Sequence, residues 1–309
     1  YVDNRMDRDG TLARNIVLAP SIIGENVIAY YDKVVAYEPD VVLTDFDSFA
    51  YLFAKRHGLP VVSIDNQQII SRCKHPAEIK KGVKVDYQMT KAFVRAKLPF
   101  CDHYVITTFF EPTVRKKFRA TTTLVPPILR EPMLDAKERA RPGEHVLVYQ
   151  TSSSDTSLLP TLGKLREHKF VVYGMKRPDQ RGSGASRPSA RNCVVKDFSE
   201  EGFVNDLATA RAVVCNGGLS LIGEALYLGK PIFSVPVRNQ FEQVMNARYL
   251  EELGYGLAGE AIEPDVLRLF LGESEKYAAR VAKHKQRGNE RLFEVVDGLL
   301  KKIAKARAR

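Results

Sequence analysis

The chain has 309 residues, of which 44% are hydrophobic and 27% charged, a composition typical of globular proteins that can bury a sizeable core. Its 47 basic and 37 acidic side chains give a formal net charge of +10, and its four cysteines are scattered without a CxxC pair. The cysteine spacing excludes a disulfide framework and a cysteine-based zinc site. The sequence contains no run of eighteen apolar residues, so no membrane span is predicted.

Strands and helices alternate in the first part of the chain. The predicted elements, in order, are a strand at 40–44, a helix at 48–57, a strand at 61–64, a helix at 86–97 and a strand at 103–107. Such alternation is typical of a parallel, doubly wound α/β sheet. The chain begins at Tyr1, in what reads as the middle of a domain, so we expect the N-terminal domain to be incomplete.

A second alternating series follows a segment at 126–143 that is rich in Pro, Arg and Glu. The composition of this segment predicts a linker. The elements beyond it are predicted strands at 146–149, 170–173 and 192–195 and predicted helices at 158–167 and 203–210.

The stretch at 213–256 carries the most specific pattern in the chain. An apolar strand is followed by a double glycine at 217–218, which lets the backbone turn tightly and approach a ligand closely. A helix predicted at 219–228 points its unpaired N–H groups and positive dipole end at that turn, and Gly-Lys-Pro at 229–231 ends it. A short strand follows at 232–235. The pattern predicts half of a phosphate-binding α/β unit, without the dinucleotide fingerprint or the Walker lysine.

This stretch resembles the donor-binding signature of GT-B glycosyltransferases, near the lipid-intermediate N-acetylglucosaminyl transferase MurG and the UDP-glycosyltransferase-like group (families 28 and 1). The residues that carry the resemblance are Gly217, Gly218, Glu224, Gly229, Lys230, Pro231, Pro236, Glu242, Gln243, Asn246 and Ala247. The resemblance implies the GT-B architecture, an α/β fold in which two Rossmann-like parallel-sheet domains face each other across a cleft. It also implies an inverting hexosyl transfer from a UDP-sugar to an acceptor hydroxyl, with no cofactor and no essential metal.

Domain boundaries follow from the two alternating series and this architecture. We expect a partial acceptor-side domain at 1–125, a linker at 126–143 and a donor-binding domain at 144–268. The basic helices at 269–309 are expected to pack back toward the N-terminal domain.

The departing pyrophosphate needs hydrogen-bond donors, and the sequence offers two sets. Gly217, Gly218 and Leu219 form the N-terminus of the helix in the signature. Ser152 and Ser153 follow a predicted strand, at the sheet edge where α/β proteins bind ligands, and the matching loop of the family faces the diphosphate. These serines can equally cap the following helix.

The remaining donor contacts are expected from the resemblance. Glu224 matches the glutamate that accepts hydrogen bonds from the two ribose hydroxyls, a task that suits the acceptor oxygens of a carboxylate. Glu242 and Gln243 match the pair that contacts sugar hydroxyls. Phe198 matches the position that borders the nucleobase, and a buried core Phe is the alternative. Asn216 stands where plant and animal UDP-sugar transferases place a histidine that touches a phosphate; Asn can donate a hydrogen bond but has no charge.

The sequence offers two candidates for the catalytic base, Asp45 and Asp47. In most inverting GT-B enzymes a His or Asp after the first strand of the N-terminal half serves as base, and we expect that strand to lie outside this chain. Asp45 and Asp47 follow the strand at 40–44 and are the candidates for acceptor binding or for the base. They also spell the DxD motif of metal-dependent GT-A transferases, which we discount because the donor signature lies in the other half of the chain. The six histidines form no pair with metal-ligand spacing, so no metal site is expected.

Positive charge is concentrated in two segments. Residues 72–97 contain eight basic and two acidic side chains, and residues 280–309 contain ten and three. One interpretation is a cytoplasmic protein that docks on the anionic inner face of the membrane and uses a lipid-linked acceptor. The other is a solvated helix face and a solubilising tail.

Two alternative functions stay open. A UDP-N-acetylglucosamine 2-epimerase shares the two-lobed fold, but its signature has two adjacent glutamates after Ser-Gly-Gly, where this chain has the single Glu224. A non-catalytic nucleotide- or nucleic-acid-binding protein would account for the charge. The basic segments lack the interleaved aromatics of an RNA platform, so we expect no nucleic acid partner.

Overall fold

The computed structural model describes residues 37–150, 157–175, 190–237 and 240–308. In this part of the chain, Pro127–Asn289 form one compact unit, the C-terminal unit. Residues 37–126 and 290–308 together form the second, the N-terminal unit.

Strands and α-helices alternate along both units. The described strands are β1 (Val42–Thr44), β2 (Val61–Asp65), β3 (His103–Thr107), β4 (Thr122–Val125), β5 (His145–Tyr149), β6 (Lys169–Tyr173), β7 (Cys193–Val195), β8 (Ala212–Cys215), β9 (Ile232–Ser234) and β10 (Gly256–Ala258). The described α-helices are α1 (Ser48–Arg56), α2 (Ile69–Arg72), α3 (Lys84–Lys97), α4 (Glu131–Asp135), α5 (Leu158–Leu162), α6 (Glu200–Thr209), α7 (Leu219–Tyr227), α8 (Phe241–Glu252), α9 (Pro264–Gly272), α10 (Ser274–Val281) and α11 (Glu290–Arg307). The α/β class predicted from the sequence is confirmed.

The N-terminal unit contains a parallel sheet of four described strands in the order β1-β2-β3-β4. Its strands are short and apolar, and Val62, Val105 and Val125 form a buried cluster on one face. Helix α11 covers this cluster with Leu292, Val295, Leu299 and Ile303. Their spacing of three and four residues gives α11 one apolar face, which explains why a helix with so many cations packs against a sheet.

The C-terminal unit contains a parallel sheet of six described strands in the order β10-β9-β8-β5-β6-β7. From β5 the chain moves outward through β6 and β7, and then returns to β8, on the other side of β5, before continuing to β9 and β10. The strand order therefore reverses between β5 and β8, which are direct neighbours with Tyr149 opposite Cys215. In open α/β sheets this switch point is where ligands bind, beyond the carboxyl ends of the strands.

The boundaries between units differ from the expected domains. Helices α9 and α10 belong to the C-terminal unit because Phe270 is buried against Phe233 of its sheet and Tyr277 stacks on Phe270. The expected boundary after residue 268 thus falls within α9, and the unit extends to Asn289. The segment at 126–143, expected to be a linker, contains α4 and lies from Pro127 onward in the same unit.

Helix α5 ends five residues earlier than its predicted end at 167. The amide of Asn192 donates hydrogen bonds to the carbonyl oxygens of Leu162, Leu165 and His168, at 3.0, 2.8 and 3.1 Å. Because these carbonyls find a partner outside the helix, the chain can turn away toward β6. In the described residues, no helix is both long and apolar enough to span a membrane.

Candidate functional site

The turn after β8 lies at the switch point of the C-terminal sheet and leads directly into α7. It consists of Asn216, Gly217 and Gly218, and Gly218 is the N-cap residue of the helix. Residues 150 and 216 leave adjacent strands at the same edge of the sheet. The sequence therefore placed the glycine turn at the edge where a ligand is expected.

Glycine is required at position 217 because the backbone of α8 leaves no space for a side chain. A Cβ at this position would lie 2.3 Å from the carbonyl oxygen of Gln243 on α8. The backbone N–H of Gly217 donates to the side-chain oxygen of Gln243 at 3.2 Å, and its carbonyl accepts from Asn246 at 3.0 Å. The turn is therefore held against the first turns of α8, with no room for a side chain between them.

Three amide side chains of the signature brace this edge of the sheet. The oxygen of Gln243 also accepts from the N–H of Val237, at 2.9 Å, so it ties the turn after β8 to the segment after β9. The amide of Asn216, which is buried, donates to the carbonyl of Val235 at 3.0 Å. These bonds give Asn216 and Gln243 a structural task. Their predicted contacts with phosphate and with sugar hydroxyls stay predictions.

Gly218 contrasts with its neighbour. A Cβ built there meets no atom within 4 Å, and its φ of −71° is ordinary. Gly218 has no side chain that could cap α7, and Leu219 begins the helix without an acid in its first turn. The N–H groups of this turn and the positive end of the helix dipole are the features that bind anions.

Glu224 lies on the second turn of α7 and its side chain is 5% exposed. Its two carboxylate oxygens accept hydrogen bonds from Nε and Nη2 of Arg130, at 2.7 and 3.1 Å. Nη1 of the same guanidinium donates to Glu200 at 2.7 Å. These hydrogen bonds, that to Glu224 first, raise the pKa of Arg130. The buried carboxylate is thus paired and oriented, and its predicted contact with ribose stays a prediction.

Sequence reasoning missed Arg130. It lies 94 residues from Glu224 in the chain, in the segment interpreted as a linker. A buried acid on an otherwise apolar helix requires a cationic partner, so the sequence around Glu224 indicated that a partner exists. It did not indicate which Lys or Arg side chain that partner is.

Phe198 lies after β7 with its ring 61% exposed, so the alternative of a buried core residue is wrong. The ring contacts Phe203 and Tyr173, with centroids 5.6 and 6.5 Å away. An exposed aromatic face supported by two further rings can stack on a planar ligand. Its predicted place beside the nucleobase is consistent with this geometry and stays a prediction.

The remaining predicted donor-site residues are Glu242, Ser152 and Ser153. Glu242 lies half-buried in the first turn of α8, next to Gln243. Ser152 and Ser153 lie outside the described residues.

The two candidate bases lie in the N-terminal unit, after β1. Asp47 is the N-cap of α1, where its side chain accepts from the N–H of Ala50 at 2.8 Å. Asp45 is exposed at the end of the strand. Each is placed at the carboxyl end of β1, as the sequence predicted, and the structure gives Asp47 a capping task.

A third acid, Asp65, was not singled out from the sequence although it ends β2 as Asp45 follows β1. It is buried, accepts from the hydroxyl of Ser63 and accepts from the N–H of Gln68 at 2.8 Å. Burial, with a smaller contribution from Asp45, raises the pKa of Asp65 to about 6. Across the described ranges, no group of three or more His, Cys, Asp and Glu side chains is arranged to hold a metal ion.

A family model and a curated relative both match this chain as a glycosyltransferase. The family model described as "Glycosyl transferase family 1" matches residues 1–274. A curated relative, an uncharacterized glycosyltransferase of Methanosarcina acetivorans, is 29% identical over 251 residues, which cover 75% of this chain. The aligned part of the chain spans 63% of the length of that relative.

Solved structures resemble the chain in fold. The calicheamicin glycosyltransferase CalG4 is 18% identical, with a TM-score of 0.60 over 97% of this chain and 82% of its own. Phytolacca americana UGT2, solved with UDP-2-fluoro-glucose and pterostilbene, is 12% identical, with a TM-score of 0.63 over 93% and 81%. Acinetobacter baumannii MurG is 17% identical, with a TM-score of 0.52 over 86% and 74%. At these identities the similarity shows the fold, which is that of the GT-B glycosyltransferases.

Proposed function

We propose that this chain, which belongs to glycosyl transferase family 1, transfers a sugar from a UDP-sugar to an acceptor hydroxyl with inversion at the anomeric carbon. The observation that carries the proposal is the open N-terminus of α7 at the switch point of the C-terminal sheet. Gly218 leaves that helix end accessible, and Gly217 fixes its position against α8. The UDP-sugar in the Phytolacca americana structure supports UDP as the nucleotide.

The proposed reaction is a single displacement. The acceptor oxygen forms a bond to the anomeric carbon while the bond from that carbon to the β-phosphate oxygen breaks. Negative charge grows on the departing UDP, and the N–H groups and dipole of α7 stabilise it where it develops. Glu224 holds the ribose, Phe198 borders the base, and Glu242 and Gln243 contact the sugar.

The acceptor hydroxyl loses its proton as it attacks, and Asp45 or Asp47 is our candidate for the group that receives it or binds the acceptor. A helix end supplies stabilisation that does not depend on a divalent cation, and we propose a reaction without an essential metal. Activity that persists in excess chelator is the expected result.

Binding of UDP to the native protein tests the proposal. A ligand at one hundred times its dissociation constant stabilises the folded state by about 2.7 kcal/mol, which thermal denaturation detects readily. We expect UDP to stabilise more than GDP or TDP. Gly218→Val should fold, because its Cβ has open space, yet lose UDP binding, because the methyl groups cover the helix end.

Gly272→Val is the matched control, since Gly272 also has open space around its Cβ and lies on α9 of the same unit. It should bind UDP as the wild type does. Wild-type protein that is not stabilised by UDP, or a Gly218→Val variant that binds UDP normally, would contradict the proposed site.

We further propose that the acceptor is lipid-linked and that the protein docks on the anionic inner face of the membrane. Helix α3 supports this, because Val85, Met89 and Phe93 are 72%, 58% and 59% exposed at four-residue spacing. The same helix carries four basic side chains, Lys84, Lys91, Arg95 and Lys97. An exposed apolar stripe on a basic helix fits an anionic bilayer surface, and flotation with liposomes measures the binding.

A further inference from the structure

Arg130 forms two hydrogen bonds with the carboxylate of Glu224, the residue that the proposed function assigns to ribose binding. Its Nε and Nη2 contact the two oxygens of Glu224 at 2.7 and 3.1 Å. A forked guanidinium pair of this kind fixes both the position and the plane of a carboxylate. The side chain of Glu224 is 5% exposed and that of Arg130 is 40% exposed, so the acid is buried and its partner reaches it from the surface.

The backbone before Arg130 is itself fixed. Pro127 packs so closely on Gly223 of α7 that a Cβ there would lie 2.5 Å from the proline ring. The amide of Gln286 donates to the carbonyl of Pro127 at 2.7 Å. The side chain of Asn289 accepts from the N–H of Leu129 at 2.9 Å and donates to its carbonyl at 2.8 Å. Arg130 therefore extends from an anchored segment that touches α7 one residue before Glu224.

Arg130 does not use all of the hydrogen-bond acceptor positions of Glu224. An ionised carboxylate offers about four acceptor positions on its two oxygens. Arg130 occupies one on each oxygen, which leaves about two, and a ribose presents two hydroxyl donors. The same guanidinium also contacts Glu200, two residues after the exposed ring of Phe198. The guanidinium thus connects Glu224, which is assigned to the ribose, with the segment that carries Phe198, which is assigned to the nucleobase.

From this geometry we infer that Arg130 is a positioning residue for nucleotide binding, which holds Glu224 so that its free acceptor positions select a ribose with both hydroxyls. The inference rests on the proposed function, since it assumes that Glu224 meets a nucleotide. It assigns to the segment at 127–130 a part in selecting ribonucleotides.

Calorimetric binding of UDP and of 2′,3′-dideoxy-UDP to the full chain tests the inference. The wild type should bind UDP about tenfold more tightly or better, the difference expected for one or two hydrogen bonds to a charged group. Arg130→Met should lose most of this preference while its affinity for dideoxy-UDP changes less than twofold. Arg130→Lys should keep part of the preference, and Arg130→Met should add nothing to a Glu224→Gln variant, because the two residues act as one unit.

Arg268→Met is the matched control. Arg268 is 48% exposed, lies in the same unit and likewise bridges two acids, Glu167 and Asp265, at 3.1 and 2.8 Å. It should keep the wild-type preference. If Arg130→Met fails to fold because Glu224 is left unpaired, the double variant with Glu224→Gln removes that charge, and Arg130→Lys retains a partner for it.

Different binding results would contradict the proposed function and the role of Arg130. Wild-type protein that binds no UDP defeats the proposed function itself. A wild type that binds UDP without preferring it to dideoxy-UDP overturns the inference, and so does a folded Arg130→Met or Arg130→Lys series that keeps the full wild-type preference.

Discussion

Replacing Gly217 with alanine is expected to destabilise the C-terminal unit strongly. The new Cβ would lie 2.3 Å from the carbonyl oxygen of Gln243 and 2.8 Å from its carbonyl carbon and Cα, all of them backbone atoms. Backbone on α8 cannot rotate away as a side chain would, so the turn must move. Overpacking of this kind costs about 1–3 kcal/mol.

Movement of the turn also breaks two hydrogen bonds. The N–H of Gly217 would leave Gln243, and its carbonyl would leave Asn246, whose side chain is fully buried. Each such bond contributes about 1 kcal/mol, and an unsatisfied buried amide costs more. We therefore expect a total loss of about 3–5 kcal/mol, a large fraction of the stability of an ordinary domain.

Urea denaturation followed by circular dichroism measures this loss, with Gly218→Ala as the control. Neither glycine has a left-handed φ, so the two substitutions differ in space and not in backbone conformation. Gly218→Ala should cost no more than about 1 kcal/mol, because alanine is a poorer N-cap than glycine but meets no neighbouring atom. Equal stability of the two variants would refute the claim that close packing on α8 requires Gly217.

Two further predictions concern the N-terminal unit. Burial raises the pKa of Asp65 from 3.8 to about 6, so between these values the folded state keeps a proton that the unfolded state has released; its contribution to stability is present at low pH and is lost, by about 3 kcal/mol, as pH rises through 6. About 2 kcal/mol of this loss falls between pH 4.5 and 7, and Asp65→Asn should lack it in urea titrations at these two pH values. The comparison with wild type also cancels the opposite effect of His75, because burial lowers the pKa of His75 to about 4. Identical pH dependence in both proteins would contradict the assignment. Exchanging Met89 and Phe93 for serine should abolish flotation with anionic liposomes and leave the melting temperature nearly unchanged, because both side chains are exposed. Flotation that survives the double substitution would exclude the apolar stripe of α3 as the docking surface.

Local patterns determined the elements that surround the site. Helix α7 was predicted at 219–228 and runs from Leu219 to Tyr227, and β3 was predicted at its observed bounds. Glycine, proline and the period of apolar residues act over a few neighbouring residues, so they can be read without knowledge of the rest of the chain. The double glycine and the helix after it, and therefore the candidate anion site, belong to this class.

Contacts between distant residues decided the rest. Strand order placed β8 beside β5, and only this neighbourhood makes the turn at Gly218 a switch point. Helix α11 joined the N-terminal unit because its apolar face fits that sheet, while α9 and α10 remained with the sheet that buries Phe270.

The side chains of the signature show the same division. The sequence identified Asn216, Glu224 and Gln243 by residue type, and the fold assigned Asn216 and Gln243 to backbone groups after β8 and β9. It brought Arg130 to Glu224 across 94 residues of chain. A buried charge must be paired, which follows from the sequence and elementary electrostatics, but the identity of the partner depends on which surfaces pack together, and that is a property of the folded molecule alone.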